Sequence, residues 1–223
     1  SAQVKWVASI ASGALVAGVL VAGLVWRARA QLPASTQARL AELQSRIRPH
    51  FLFNTLNSAI ALVRAEPARA EALLEDLSEL FRSALANPLQ DVTLAQEVHL
   101  AERYLAIEQV RFGDRLRLSW TLDAAASAAR LPPLILQPLV ENAVRHGVEP
   151  SPSGADVHIS TQRRGERVVI KVSNSMPGGA GPAGTGLALA NVGERLALLH
   201  DLNASLRHGV VGGVFQVRME VPA

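Results

Sequence analysis

Apolar positions recur at a helical spacing through the first half of this chain and alternate with polar ones through the second. Leu40, Leu43, Ile47 and Phe51 lie three or four residues apart, and the same face softens into polarity at Asn54 and Ser58. That spacing predicts a helix with a polar patch near its centre, at His50. Pro49 removes a backbone donor inside the stretch, so a kink or a break just before His50 is expected. Pro67 suits a first helical turn and opens a second helix that runs to Ala86, where Asn87-Pro88 stops it. Thr93 and Gln96 form a capping-box pattern opening a third helix, with Val98, Ala101, Leu105 and Val110 on its apolar face and Gly113 at its end.

Beyond Gly113 the period becomes two. Leu116, Leu118, Trp120 and Leu122 alternate with polar residues, as do Val157, Ile159 and Thr161, and Val168, Ile170 and Val172 follow the turn at Arg163-Arg164-Gly165. A helix from Pro132 to His146 is predicted between the first two strands, another from about Leu187 to His200, and a closing hairpin through Gly209, Gly212 and Gly213. Helices followed by a mixed sheet with helices on one face make an α+β chain.

One segment fits neither half. Residues 6–26, WVASIASGALVAGVLVAGLVW, carry no charge. At about 1.5 Å per residue they are long enough to cross a hydrocarbon core of about 30 Å, and they read as a transmembrane helix. Trp6 and Trp26 bracket the span, and Arg27 and Arg29 behind it outweigh the single Lys5 in front, which places the following residues in the cytoplasm. A signal-peptide reading would cleave at Ala28-Arg29-Ala30, but the apolar run is too long and an arginine sits beside the site. The chain begins at Ser1 rather than methionine, as expected of a piece of a longer protein.

With 223 residues, 18% of them charged, one or two domains are expected behind the span. A net charge of +3 with arginines scattered among acids gives no footprint for direct nucleic-acid contact. No cysteine is present, which excludes disulfides, thiolate metal sites and cysteine nucleophiles.

Three stretches carry candidate chemistry. His50 and Asn54 lie one helical turn apart, within reach of each other. A histidine accepts a phosphoryl group when one ring nitrogen is unprotonated and aimed while a partner holds the other. The same pair also fits a packed histidine beside a polar neighbour, and spacing alone does not separate the two. In PLVENAVRHG, residues 138–147, Asn142 and His146 stand one turn apart with Glu141 beside them. This array suits a hydrated magnesium ion and phosphate oxygens, or equally a water-facing helix ending on Gly147. Residues 175–186 hold five glycines, two prolines and no charge, and lead through Gly184-Thr185-Gly186-Leu187 into a helix. Backbone donors there would cradle phosphates; a plain linker has the same composition.

Together, PHFLFN at 49–54 and PLVENAVRHG resemble the membrane sensor histidine kinases of the LytS and YehU type, over roughly residues 40–222. ERYLAIEQVRFGDRL, residues 102–116, extends the resemblance, with Tyr104, Glu108 and Arg111 either coupling two domains or lying on a partly buried amphipathic helix. The resemblance implies His50 as phosphoacceptor with Asn54 orienting it. It implies a GHKL nucleotide site in which Asn142 binds Mg2+, Glu141 is a possible base, and His146, Gly147, Asn174, Gly184, Thr185, Gly186 and Leu187 surround ATP. The chain departs from the pattern at Phe51, where larger kinase families carry an acid, and at Met176 and Ala188, where glycine is usual. Asn174 stands where most GHKL proteins carry an aspartate facing the adenine amino group. An amide still accepts there, at a cost of about 1–2 kcal/mol for the lost charge.

The implied organisation is a transmembrane and juxtamembrane segment (1–31), a helical phosphoacceptor and dimerisation domain (32–114) and a Bergerat-type α/β sandwich that binds ATP (115–223). The implied protein is a homodimer in the bacterial inner membrane, held in the bilayer by one helix, with residues 27–223 in the cytoplasm. It phosphorylates itself on His50 from Mg-ATP and passes the group to an aspartate of a response regulator, of LytTR type by resemblance. The alternative, suggested by Asn174, Met176 and Ala188, is a kinase-deficient scaffold that binds and sequesters the regulator.

Overall fold

The computed structural model describes residues 49–85, 90–177 and 186–223. The apolar span at 6–26, the helix positions Leu40, Leu43 and Ile47, the stop at Asn87-Pro88, and Gly184 with Thr185 lie outside the described residues. Among those described, no helix is long and apolar enough to cross a membrane.

Helix α1 (Pro49–Leu62) and helix α2 (Pro67–Leu85) form a hairpin joined by residues 63–66. The carbonyl of Glu66 accepts from the amides of Arg69 and Ala70, each at 3.0 Å, and Pro67 sits in the first turn, where its missing donor is no loss. Ala70, Leu73, Leu77, Leu80 and Ala84 make the buried stripe of α2, at alternating steps of three and four. Helix α1 fully buries only Thr55 and Ala59. Phe53, Leu56, Ile60 and Val63, also spaced by three and four, stay 63, 37, 70 and 55% exposed.

Strand β1 (Val92–Thr93) leads into helix α3 (Leu94–Phe112), which opens with the expected capping box. Thr93 Oγ1 accepts from the Gln96 amide at 3.3 Å, and Gln96 Oε1 accepts from the Thr93 amide at 2.9 Å. Its buried face is wide, running from Leu94 and Glu97 to Tyr104 and Glu108, because both the helical hairpin and the sheet layer pack on it.

Strand β2 (Leu116–Thr121), strand β3 (Arg130–Leu131), helix α4 (Gln137–Ala143), strand β4 (Ala155–Arg164), strand β5 (Arg167–Ser175), helix α5 (Leu187–His200), strand β6 (Ser205–Val211) and strand β7 (Val214–Pro222) follow. The main sheet has the order β2-β4-β5-β7-β6, with β2 parallel to β4 and every other pair antiparallel. Its inner face is Val157, Ile159 and Thr161 on β4, Val168, Ile170, Val172 and Asn174 on β5, and Val217, Met219 and Val221 on β7, all buried. Period-two alternation therefore aims Asn174 into the helical layer, in phase with valines and isoleucine. This is the expected α+β arrangement of helices and a mixed sheet. The described residues pack as one compact unit.

Four details differ from the sequence reading. A short ladder of β1 with β3, pairing Val92 with Leu131, had no alternating run to announce it. The helix expected from Pro132 begins only at Gln137, because two prolines and Leu134 at φ 57° hold the chain out of the helical region. Its continuation, Val144–Val148, is π-helical, with the Glu149 amide bonded to the Val144 carbonyl at 3.0 Å. The closing hairpin turns at Gly212-Gly213 alone, while Gly209 lies inside β6 opposite Gln216.

The entry to α4 is held from both sides. Glu97, buried on α3, accepts from the amides of Leu134 (2.6 Å), Ile135 (2.7 Å) and Leu136 (3.0 Å). Arg195 on α5 donates to the carbonyls of Pro133 and of Leu134, the latter at 3.3 Å. Burial pushes the Glu97 carboxyl up, against the pull of those three amides and of Arg195. In Glu97→Gln, the side-chain NH2 would meet a backbone N–H, leaving a buried donor unpaired. The expected loss is about 2 kcal/mol, read as a lower urea midpoint with an unchanged slope; an unaltered midpoint would show that the turn holds without the carboxylate.

Candidate functional site

Two groups of residues bear on chemistry, and both touch α3. The first is on α1. His50 is exposed, and the amide nitrogen of Asn54 lies 3.2 Å from its Nδ1 and 3.4 Å from its Nε2. The helix places them one turn apart, so the amide faces the ring with no loop needed to bring it there. Thr55, next to Asn54, is buried and donates to the Phe51 carbonyl at 2.8 Å, which keeps the opposite side of the turn against the core.

The second group surrounds α4. Glu141 and Asn142 are half-buried on the helix, and Glu141 Oε1 accepts from Gln137 Nε2 at 3.0 Å. His146 is half-buried in the π turn, whose wider winding rotates it away from the position that a regular helix would give relative to Asn142. Gly147 is fully buried in the same turn. A Cβ at Gly147 would stand 2.8 Å from Asn174 Nδ2 and 3.1 Å from the Ser175 carbonyl. The end of β5 and the π turn thus meet over a glycine, with backbone on one side and an amide on the other.

Asn174 is buried, and its Nδ2 donates to the Ser175 carbonyl at 3.1 Å. The strand end is fastened by the Met176 amide, which donates to the Gly213 carbonyl in the β6–β7 turn at 2.9 Å. Gly186, at φ 68°, precedes α5, and its carbonyl accepts from the Ala190 amide at 3.0 Å; Leu187 is 64% exposed. Gly184 and Thr185 are not among the described residues.

Two residues that position this group were not read from the sequence as doing so. Glu97 was legible in principle, as an acid at a buried phase of α3, one turn after Leu94 and one before Ala101. Arg115 carried no such signal. Its guanidinium donates to the carbonyls of Val148 (3.0 Å), Glu149 (3.3 Å) and Ser151 (2.7 Å), closing the far end of the π turn.

Comparison with known proteins bears on both groups. The profile of the family described as Histidine kinase matches residues 38–116, which include His50 and all of α3. Sensor histidine kinase BtsS of Escherichia coli K12 is 35% identical over 161 residues, 72% of this chain and 28% of that protein. Sensor protein LytS of Staphylococcus haemolyticus is 32% identical over 186 residues, 76% of this chain and 31% of its own. Sensor histidine kinase YpdA of Escherichia coli K12 is 34% identical over 190 residues, 78% of this chain and 32% of its own.

This chain belongs to the LytS-type sensor histidine kinases. It spans about a third or less of the length of these curated relatives. A solved histidine kinase, AdeS of Acinetobacter baumannii, overlaps 84% of this chain and 96% of its own at 17% identity and a TM-score of 0.45, too low to carry inference.

Within this chain the contact over Gly147 is the tightest geometric demand at the candidate site. Gly147→Ala is expected to push Asn174 and the β5 end apart at a cost of about 1–3 kcal/mol, seen as a reduced urea midpoint. An alanine variant as stable as the parent would show that the contact yields freely.

Proposed function

We propose that this chain is the membrane-anchored kinase portion of a two-component sensor, in which His50 takes the γ-phosphoryl group of ATP and passes it to an aspartate of a response regulator. The observation that carries this reading is an exposed imidazole with both ring nitrogens within 3.4 Å of the Asn54 amide. With the amide turned so that Asn54 Oδ1 accepts from one ring N–H, the other ring nitrogen keeps a free lone pair to act as nucleophile; donation from Nδ2 would instead occupy that lone pair, so the proposed reactive arrangement is the first. The bond from that nitrogen to the γ-phosphorus forms as the bond from phosphorus to the β–γ bridging oxygen breaks, and ADP leaves with the electron pair. Glu141 is the base that would return a charged ring to the reactive state.

The close approach of the π turn to Asn174, where a Cβ at Gly147 would stand 2.8 Å from Nδ2, supports the nucleotide reading by bringing the α4 end and the β5 end together. Because Asn174 Nδ2 is engaged at the Ser175 carbonyl, its oxygen is the atom left for the adenine amino group. His146 and Gly147 on one side, and Gly184, Thr185, Gly186 and Leu187 at the head of α5 on the other, are the proposed surroundings of the nucleotide. Magnesium, when bound, neutralises phosphate charge, and the amide oxygen of Asn142 matches its preference for hard oxygen donors.

A homodimer is supported by the exposed stripe Phe53, Leu56, Ile60 and Val63, which begins one turn after His50 and has the spacing of a helix-packing face. Two hairpins meeting on it would form a four-helix bundle around the phosphoacceptor. Residues 6–26 supply the single helix proposed for the bacterial inner membrane, and a regulator with LytTR-type output is the proposed receiver of the phosphoryl group.

The full chain in detergent micelles, incubated with labelled ATP and magnesium, is expected to acquire acid-labile, base-stable phosphate that disappears in His50→Gln and in Asn142→Ala. An unlabelled parent with no heat of nucleotide binding would overturn the kinase reading. It would leave the alternative that Asn174 favours by lacking the charge of an aspartate, a scaffold that sequesters the regulator.

A further inference from the structure

Tyr104, Glu108 and Arg111 follow one another at steps of four and three along α3, and each touches the next. The Tyr104 ring is buried and stacks on Phe51, the residue after His50, with centroids 5.1 Å apart and planes inclined by 26°. Its hydroxyl donates to Glu108 Oε1 at 3.1 Å. Glu108 is 3% exposed, and burial pushes its carboxyl above the ordinary range, opposed by Arg111 and the tyrosine hydroxyl. Arg111 Nη1 lies 3.4 Å from Glu108 Oε2 and 3.3 Å from Glu149 Oε1. Glu149 is the residue immediately after the π turn, and its amide closes that turn onto the Val144 carbonyl.

Packing alone does not call for this chain of contacts. A buried carboxylate is desolvated at a cost of several kcal/mol, and an apolar side chain of similar volume at position 108 would fill the space without it. The arrangement does provide directionality. Glu108 and Tyr104 are buried, and leaving either unsatisfied costs more than moving with its partner, so a displacement of Arg111, which a partly exposed ion pair ties to Glu149, would be passed to Glu108, Tyr104 and Phe51. The π turn holds one residue more than a regular helical turn, and a relay through this path requires that it rewind toward a regular helix when the neighbouring site is filled.

We propose that Tyr104, Glu108 and Arg111 are positioning residues that transmit nucleotide occupancy beside the π turn to the helix bearing His50. The proposal rests on the nucleotide-dependent kinase reading above. None of the three touches the reacting atoms; they act by placing Phe51 and, through it, the first turn of α1.

Tyr104 is the single tyrosine of the chain, so 3-fluorotyrosine incorporation puts one fluorine reporter in the middle of the path. The full chain, labelled in this way in detergent micelles, is titrated with magnesium and a non-hydrolysable ATP analogue while calorimetry follows binding separately. The fluorine resonance is expected to shift in step with binding in the parent. In Glu149→Gln and in Arg111→Gln it is expected to stay fixed, although the analogue still binds within about twofold of parental affinity. The same two variants should label His50 about tenfold more slowly at saturating ATP with little change in KM, since positioning acts on kcat. Heat of binding without a resonance shift in the parent overturns the relay and leaves the kinase reading intact. So does a shift that survives in both variants, or a loss that appears only in KM. Absence of heat in the parent removes the kinase reading, and the relay falls with it.

Discussion

A buried carboxylate ties the sheet layer to α3, the helix on which the helical hairpin packs. Glu97 sits on the wide face of α3 and takes the three amides that open α4, while Arg195 from α5 takes the carbonyls of the same turn. A helix start must find partners for its free amides, and a chain leaving two prolines through a left-handed leucine has none of its own to offer. Three helices are therefore held at one point by charge-assisted hydrogen bonds, which are shorter and stronger than neutral ones. The placement of Asn142, His146 and Gly147 against β5 follows from where that point lies.

From this anchor the helix α3 gains a double role. Its inner face packs on β2 and α4, and its other contacts are with α1 and α2. A helix solvated on one side would show a narrower apolar stripe; here the buried positions include Glu97, whose partners lie at the entry to α4, and Tyr104 and Glu108, which bond each other along the helix. The polar contacts run toward both candidate groups, to Phe51 beside His50 and to Glu149 beside the π turn. The candidate group around α4 is finished from the sheet, where strand alternation turns Asn174 inward and the Gly212-Gly213 turn fastens the strand end through Met176.

The histidine kinase relationship was readable because its signature residues are local. PHFLFN spans a single helical turn and a half, and the contact of His50 with Asn54 is a property of helix geometry whatever packs around it. The capping box at Thr93 and Gln96 is likewise local, and so is the alternation of β4, β5 and β7. The delayed start of α4 was less legible. Prolines at 132 and 133 are compatible with a first turn, and the left-handed Leu134 is stabilised by side chains about forty and sixty residues away in sequence. The β1–β3 ladder has the same origin, since two-residue strands have no period to detect.

What the amino-acid order determined by itself was the succession of elements, the apolar faces of the helices and strands, and the pairing of His50 with Asn54, because each depends on neighbours within about one turn or one pleat. Tertiary structure alone decided that Gly147 lies against Asn174, that Glu97 and Arg195 close on one turn, and that Arg111 reaches Glu149 beyond the π turn. Those contacts join residues brought close only when the helices settle on the sheet, and burial then makes each unpaired polar group too costly to leave alone.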